Sequence, residues 1–158
     1  MNFIGNTLVI ALVALATTAP GRQASNTRAA PARTPSEDIS GTYTFLHDGE
    51  NLQINIDADS VSGYVTRKGD LESDRGMMLS HFFLRGAVEG HDVSFVTKTV
   101  HGVRFEFKGR FERGQGKSRN ADGYYLLRGE LKEFMSDADG HASARASQVE
   151  FKWIGQPE

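Results

Sequence analysis

The sequence predicts a single all-β domain, an antiparallel eight-stranded up-and-down barrel. The first observation is the segment Val103–Glu112, in which Phe105, Phe107 and Phe111 alternate with charged residues. Because a strand sends successive side chains to opposite faces, one face of this strand is apolar and the other is wetted. The second observation is that similar segments fill the chain from about residue 40, and none has a helical period of useful length. The third is that each segment follows the last after a connection short enough for a hairpin.

The first three predicted strands are Gly41–His47, Leu52–Asp57 and Val61–Arg67. Each of them alternates apolar with polar residues, which is typical of a half-buried strand. Asp-Gly at 48–49 is a turn signal between the first two strands. A long polar loop at 68–77 follows the third strand and separates it from the rest of the predicted barrel.

The remaining five strands repeat this pattern. Short turns, most of them containing Gly, separate them, apart from a longer Gly- and Lys/Arg-bearing loop at 113–122. These strands are Met78–Val88, Val93–Val100, Val103–Glu112, Gly123–Phe134 and a last strand that ends at Trp153.

Eight strands that each have one apolar face suit a closed barrel, because closure removes both exposed edges of the sheet. A two-sheet β-sandwich is the alternative. An eight-stranded barrel is just wide enough to be filled by side chains or to hold one small ligand, and the bulky inward residues favour a packed interior. The predicted lining consists of Phe45, Ile54, Phe82, Phe95, Phe105, Phe107, Leu127, Phe151 and Trp153.

The N-terminal segment has the pattern of a secretory signal peptide over residues 1–16. Its apolar run, Leu8–Ala16, is too short to span a bilayer as a helix, which takes about 20 residues. Ala14–Ala16 provides a small-x-small cleavage site. Residues 17–38 are rich in Ala, Thr, Pro and Ser without apolar periodicity, which predicts a flexible linker. The pattern therefore predicts a secreted or periplasmic protein whose barrel domain spans 39–156.

Composition excludes several classes of function. A chain of 158 residues has room for one domain. The absence of Cys excludes disulfides, a thiol nucleophile and thiolate metal sites. The net charge is −2 and acidic residues alternate with basic ones, so we expect no nucleic-acid partner. We also expect no transmembrane segment.

Two short motifs carry a resemblance to a known group of folds. The opening Gly41-Thr42-Tyr43 and the third strand's Ser62-Gly63-Tyr64-Val65 resemble the calycin group, and among its members the avidin-like barrels most closely. The resemblance covers the outline of residues 39–154 and implies an eight-stranded barrel of the avidin or lipocalin type. The family's opening Trp is Tyr43 here and the only Trp is Trp153, so biotin binding is not implied. The chain also resembles small, uncharacterised exported bacterial proteins, which implies no activity.

The leading functional hypothesis is a non-catalytic binding or accessory module without a cofactor. Its partner would be a small apolar molecule at one mouth of the barrel, or another envelope protein. A second hypothesis is a protein-interaction domain that uses the loops at 68–77 and 113–122. The candidate ligand-binding residues are Tyr43, Phe82, Phe105, Tyr125 and Trp153.

Catalysis and metal binding have weaker support in the sequence. His81, His91 and His101 recur every ten residues, so neighbouring strands could bring two imidazoles to one rim of the barrel. They are weak candidates for a metal site, because turn glycines flank His91 and His101. The rival to the binding module is a hydrolase or isomerase with His81 or Glu106 at a rim. No nucleophile lies in a Gly-x-Ser-x-Gly motif, so an enzyme is not favoured.

Overall fold

The computed structural model describes residues 38–58, 60–69, 72–137 and 141–156. The predicted signal peptide and all but the last residue of the predicted linker lie outside these residues. The strands are β1 Gly41–Thr44, β2 Asn51–Asp57, β3 Ser60–Lys68, β4 Met78–Glu89, β5 Asp92–Thr97, β6 Val103–Arg113, β7 Tyr125–Ser136 and β8 Ala142–Lys152, with one 3₁₀ turn at Glu72–Asp74.

All eight strands belong to one antiparallel sheet in which each strand pairs with its neighbours in sequence. The sheet is strongly curled and forms a half-barrel. The predicted all-β class and up-and-down order are confirmed, and the alternative of two stacked sheets is wrong. Most connections between strands are short, and the two longer ones, at 69–77 and 114–124, also lead to the adjacent strand of the sheet.

The half-barrel closes only in part because its two edge strands differ in length. β1 has four residues and β8 has eleven, so most of β8 extends beyond β1. The edges meet at a bridge between Tyr43 and Trp153, beside which the Ile154 N–H donates to the Thr42 carbonyl at 2.8 Å. A Cβ at Gly41 would collide with the Trp153 ring, so only glycine lets the indole lie against this strand.

Aromatic rings fill the middle of the half-barrel. Phe45 stacks on Phe151 at 5.1 Å between ring centroids and meets the edge of Phe105 at 5.3 Å. Phe95 stacks on Phe107 at 5.3 Å, so the rings form a continuous layer across the sheet. Within the described residues, side chains fill the interior of the half-barrel, as the sequence predicts.

One predicted interior residue, Phe82, lies outside. Its side chain is 55% exposed and it contacts Tyr64 on the outer face of the sheet. The cause is a β-bulge, because Phe83 pairs with Thr97 and Arg85 with the adjacent Val96, so β4 carries an extra residue there. The prediction was wrong because one inward parity was assumed for the whole of β4.

Candidate functional site

The two ends of the half-barrel have different chemistry. We call one the closed end; it holds the first and last described residues and the β2–β3, β4–β5 and β6–β7 connections. We call the other the polar end; it holds the β1–β2, β3–β4, β5–β6 and β7–β8 connections. All five buried polar or charged side chains in the described residues lie at the polar end: Glu50, Arg67, Asp74, His81 and Thr97.

Three of the predicted ligand-binding residues meet at the closed end. Trp153 lies 5.5 Å from Tyr43 and 5.6 Å from Tyr125, measured between ring centroids, and both contacts are edge-on. The Tyr43 hydroxyl donates to the Ile39 carbonyl at 2.7 Å, and the Trp153 indole N–H donates to the Arg119 carbonyl at 2.8 Å. These polar groups are therefore already used by the protein itself.

The other two predicted ligand-binding residues lie away from this cluster. Phe105 is fully buried in the middle of the sheet, where its ring meets the edge of His81 at 5.2 Å. Phe82 lies on the outer face. The five residues therefore do not line one pocket.

The polar end arises where inward-facing positions of several strands change from apolar to polar residues. On β7 the inward series Tyr125, Leu127 and Leu131 continues to Glu133. On β3 the inward series continues from Val65 to Arg67. Because the sheet is curled, these two charges meet across the half-barrel, with 3.7 Å between an Arg67 guanidinium nitrogen and a Glu133 carboxylate oxygen.

A cavity of about 370 Å³ opens at the polar end. It lies between the β1–β2 turn and the first half of β8, where β1 is too short to pair with β8. Its lining combines charged and apolar side chains: Leu46, His47, Glu50, Arg67, Leu131, Glu133, Met135, Arg145 and Ser147. A larger depression of about 490 Å³ follows β4, β5 and β6, but no buried polar side chain lines it, so we place the candidate site at the polar end.

The two carboxylates of the cavity are held in different ways. Glu50 accepts hydrogen bonds from the backbone N–H of His47 at 3.1 Å and of Lys68 at 2.9 Å, one on each oxygen. It thereby ties the β1–β2 turn to the end of β3. Glu133 lies 3.7 Å from a guanidinium nitrogen of Arg67, and its backbone is opposite that of Arg145 in the register of β7 and β8.

His81 is opposite Val65 of β3, two residues before Arg67, and is fully buried. Within the described part of the chain, neither of its ring nitrogens has a hydrogen-bond partner. Burial lowers the pKa of His81 to about 4, and the positive charge of Arg67 acts in the same direction, so the ring is neutral at pH 7. The backbone of Lys98 and Val103 lies near the ring and opposes this lowering of the pKa, but its effect is smaller than that of burial.

Asp74 and His101 form a clamp across the polar end. The buried Asp74 carboxylate lies 2.6 Å from Nδ1 of the half-exposed His101, which joins the β3–β4 loop to the β5–β6 turn. This hydrogen bond lowers the pKa of Asp74, and a second one from the Ser73 hydroxyl adds to the effect. His101 has φ +47°, a strained backbone for a residue other than Gly.

The three histidines proposed for metal binding are not brought together. His91 lies at the closed end against the Phe111 ring, at 4.8 Å, because successive turns of a meander alternate between ends. His101 is hydrogen-bonded to Asp74, and His81 is fully buried beside Phe105. In the ranges that the structure describes, no group of three or more His, Cys, Asp or Glu is placed to hold a metal ion.

The two alternative residues proposed for a catalytic site at a rim, His81 or Glu106, are not brought together either. Glu106 alternates with the buried Phe105 and Phe107, so its side chain lies on the outer face, 3.1 Å from Arg104. His81 faces inward. The two side chains therefore lie on opposite sides of the sheet.

Comparison with known proteins gave no match to a family model, to a curated protein or to a solved structure. Among the described residues, no helix is both long enough and apolar enough to cross a bilayer.

Proposed function

We propose that this protein is an exported, non-catalytic binding module that holds a small molecule at the polar end of its half-barrel. The observation that carries the proposal is the 370 Å³ cavity, whose lining combines charged groups with apolar side chains. Polar groups in such a site fix the orientation of a ligand and apolar side chains contact the rest of it; here six of the nine lining residues are polar or charged, which favours a ligand with polar groups of its own.

The place of the ligand differs from the sequence-based hypothesis of an apolar molecule among the aromatic residues. Rings fill the middle of the half-barrel, and the polar groups of Tyr43 and Trp153 are bonded within the protein. The partly enclosed space near Arg67 and Leu131 is better suited to a compact, partly polar molecule.

Export is part of the proposal, and the apolar run with its small-x-small site over residues 1–16 supports it. Cell fractionation followed by N-terminal sequencing of the mature protein tests it. We expect the protein outside the cytoplasm with a new N-terminus at Thr17. A cytoplasmic protein that keeps residues 1–16 would contradict it.

Native mass spectrometry of the protein purified from its own host tests ligand binding. Ser147→Trp places a large ring in the cavity, whereas Gln148→Trp adds the same ring at the exposed neighbouring position of β8. We expect a small molecule bound to the wild type and to Gln148→Trp, and lost from Ser147→Trp. Circular dichroism checks that both variants fold. Absence of a bound molecule from all three, or its retention by Ser147→Trp, would overturn the proposal.

A catalytic role at the same end is the second candidate, and the Asp74–His101 hydrogen bond favours it. A buried carboxylate that holds one imidazole nitrogen can orient the ring as a general base. A screen of small ester substrates tests this candidate, with His101→Gln as the test variant and His91→Gln as the control. The role is supported only if His101→Gln alone removes the activity.

A further inference from the structure

The sheet has one long unpaired edge, and it belongs to β8. β1 covers only the end of this strand, where the Lys152 N–H donates to the Thr44 hydroxyl at 2.9 Å and Tyr43 bridges Trp153. Within the part of the chain that the structure describes, no strand pairs on this side with residues 142–150, which we call the open edge. Its first five side chains are all exposed, on both faces of the strand. β7 alone therefore holds this part of β8.

Alternation fixes the direction of the backbone groups along the open edge. Lys152 and Ile154 donate their N–H groups toward β1, whereas Trp153 between them donates to the Tyr125 carbonyl of β7. The register of β7 and β8 runs without a shift, so the even-numbered residues keep this direction back to Ala142. Their N–H and C=O groups therefore form a row to which a further strand can bond.

The open edge lacks most of the features that protect sheet edges from other strands. It contains no Pro and no Lys, and no bulge interrupts its pairing with β7. Its charged residues are Arg145 and Glu150. Three of its outer-face side chains are single methyl groups, which let another strand approach closely: Ala142, Ala144 and Ala146.

We propose that the open edge pairs with the open edge of a second copy of this chain, in antiparallel orientation across a two-fold axis. A second copy presents the same row of N–H and C=O groups, so a single contact covers both open edges. The assembly is then complete at two subunits, because no further open edge of this length is left among the described residues. This inference concerns assembly and does not depend on the proposed function.

The length of the open edge sets the register of the pair. Ala146 is its middle residue, so a two-fold axis beside Ala146 uses the whole open edge of both copies. The even-numbered residues of the two strands then face each other, as in hydrogen-bonded antiparallel pairs. Arg145 lies opposite Ser147 of the partner subunit, and Glu150 lies opposite Ala142 of the partner subunit, so like charges are not paired.

Sedimentation equilibrium of the protein purified from its own host tests the inference over a range of concentrations. We expect a dimer for the wild type. Ala146→Glu and Ala146→Lys each place two like charges at the two-fold axis and should weaken the dimer by about tenfold. An equal mixture of the two variants should restore it, because opposite charges then meet. Ala87→Glu, at an exposed position of β4, is the control and should leave the dimer unchanged.

Ala146→Pro tests the backbone pairing itself. The N–H that it removes points away from β7, so the β7–β8 pairing and the circular dichroism spectrum should be retained while the dimer dissociates. Hydrogen exchange followed by NMR gives a second measurement. The N–H groups of Ala144 and Gln148 should exchange slowly in the wild-type dimer and rapidly in monomeric Ala146→Pro.

The outcomes distinguish a second copy from other occupants of the open edge. A wild-type protein that is monomeric at every concentration would overturn the inference. Slow exchange at Ala144 and Gln148 in that monomer would assign the open edge to another segment of the same chain. A dimer that survives Ala146→Glu, Ala146→Lys and Ala146→Pro would also overturn the inference, because its contact would lie elsewhere on the surface.

Discussion

The closed end and the polar end are built from the same strands with the same alternation, yet they differ in what their inward side chains do. At the closed end, the Trp153 ring contacts both Tyr43 and Tyr125, and the Tyr43 hydroxyl and the Trp153 indole N–H donate to backbone carbonyls. At the polar end, Arg67 and Glu133 occupy equivalent inward positions and line a cavity. Alternation along a strand therefore decides which residues face inward, and residue type at each level decides whether the barrel is sealed or open.

The lengths of the edge strands reinforce this difference. β1 and β8 meet beside Trp153, where the sheet is closed by backbone and indole contacts. Farther along, β8 continues without β1, and the cavity opens in this gap. A short first strand thus produces both the half-barrel and its candidate binding site.

The largest expected effect lies in the aromatic layer between the two ends. Phe107→Asp should abolish folding, because it buries a carboxylate among aromatic rings without a partner. Lys108→Asp, the exposed neighbour on the outer face, should fold normally. Urea denaturation of both variants measures the difference, and a cooperative, wild-type transition for Phe107→Asp would reject the inward assignment.

The next effect compares the two ends directly. Trp153→Ala should lower the free energy of unfolding by about 3–5 kcal/mol, since it leaves a cavity at the closed end. Arg145→Ala, at the polar rim, should change it by less than about 0.5 kcal/mol. Thermal and urea unfolding measure both values. Similar losses for the two variants would show that the ends do not differ in packing.

Acidification should destabilise the polar end through His81. The pKa of the buried ring is about 4, against 6.5 in a model peptide, so between these pH values the unfolded chain binds more protons than the folded one. The free energy of unfolding therefore has its full value above pH 6.5 and falls by about 1–3 kcal/mol as the pH is lowered to about 4. The pKa of Asp74 is lowered, so the stability that its ionised carboxylate contributes is lost only at lower pH, below the usual carboxyl pKa of 3.8.

Urea unfolding across this pH range checks the assignment to His81. His81→Gln should flatten the dependence between pH 6.5 and 4, whereas His91→Gln, at the closed end, should keep it. The comparison uses the slope of stability against pH, so a uniform loss of stability in His81→Gln does not affect it. An unchanged slope in His81→Gln would contradict the burial of this ring.

The smallest effect compares an outer carboxylate with an inner one. Glu106→Gln should cost less than about 1 kcal/mol, because its ion pair with Arg104 is partly exposed to water. Glu50→Gln should cost about 1–3 kcal/mol, because Glu50 is buried and accepts two backbone hydrogen bonds. A larger loss of stability for Glu106→Gln than for Glu50→Gln would contradict the assignment of Glu106 to the outer face and of Glu50 to the interior.

Most of the fold could be predicted from local patterns, because alternation and turn residues act over a few positions. Phe105 and Phe107 illustrate this, since both are buried as their strand's alternation indicates. Phe82 was placed inside because a bulge leaves no mark in the alternation itself; it depends on how β4 pairs with β5. A single extra residue reverses the facing of every residue on one side of it.

The candidate site was largely missed from the sequence. The alternation of the strands predicts an apolar interior, and an apolar interior predicts an apolar ligand among aromatic residues. The signal that was overlooked is a charged residue on an inward position, as at Arg67 and Glu133, each two residues beyond a buried apolar side chain. Asp74 and His101 are 27 residues apart in the sequence and lie in different loops, so their spacing does not predict this contact.

The most direct test is to map where the molecule that travels with the purified protein binds on the folded half-barrel. When that molecule is returned to ligand-free protein in an NMR titration, we expect amide shifts to cluster at residues 46–50, 67–69, 131–135 and 145–147, with little change near Tyr125 and Trp153. Shifts centred on Tyr125 and Trp153, or no localised shifts, would contradict the assignment of binding to the polar end.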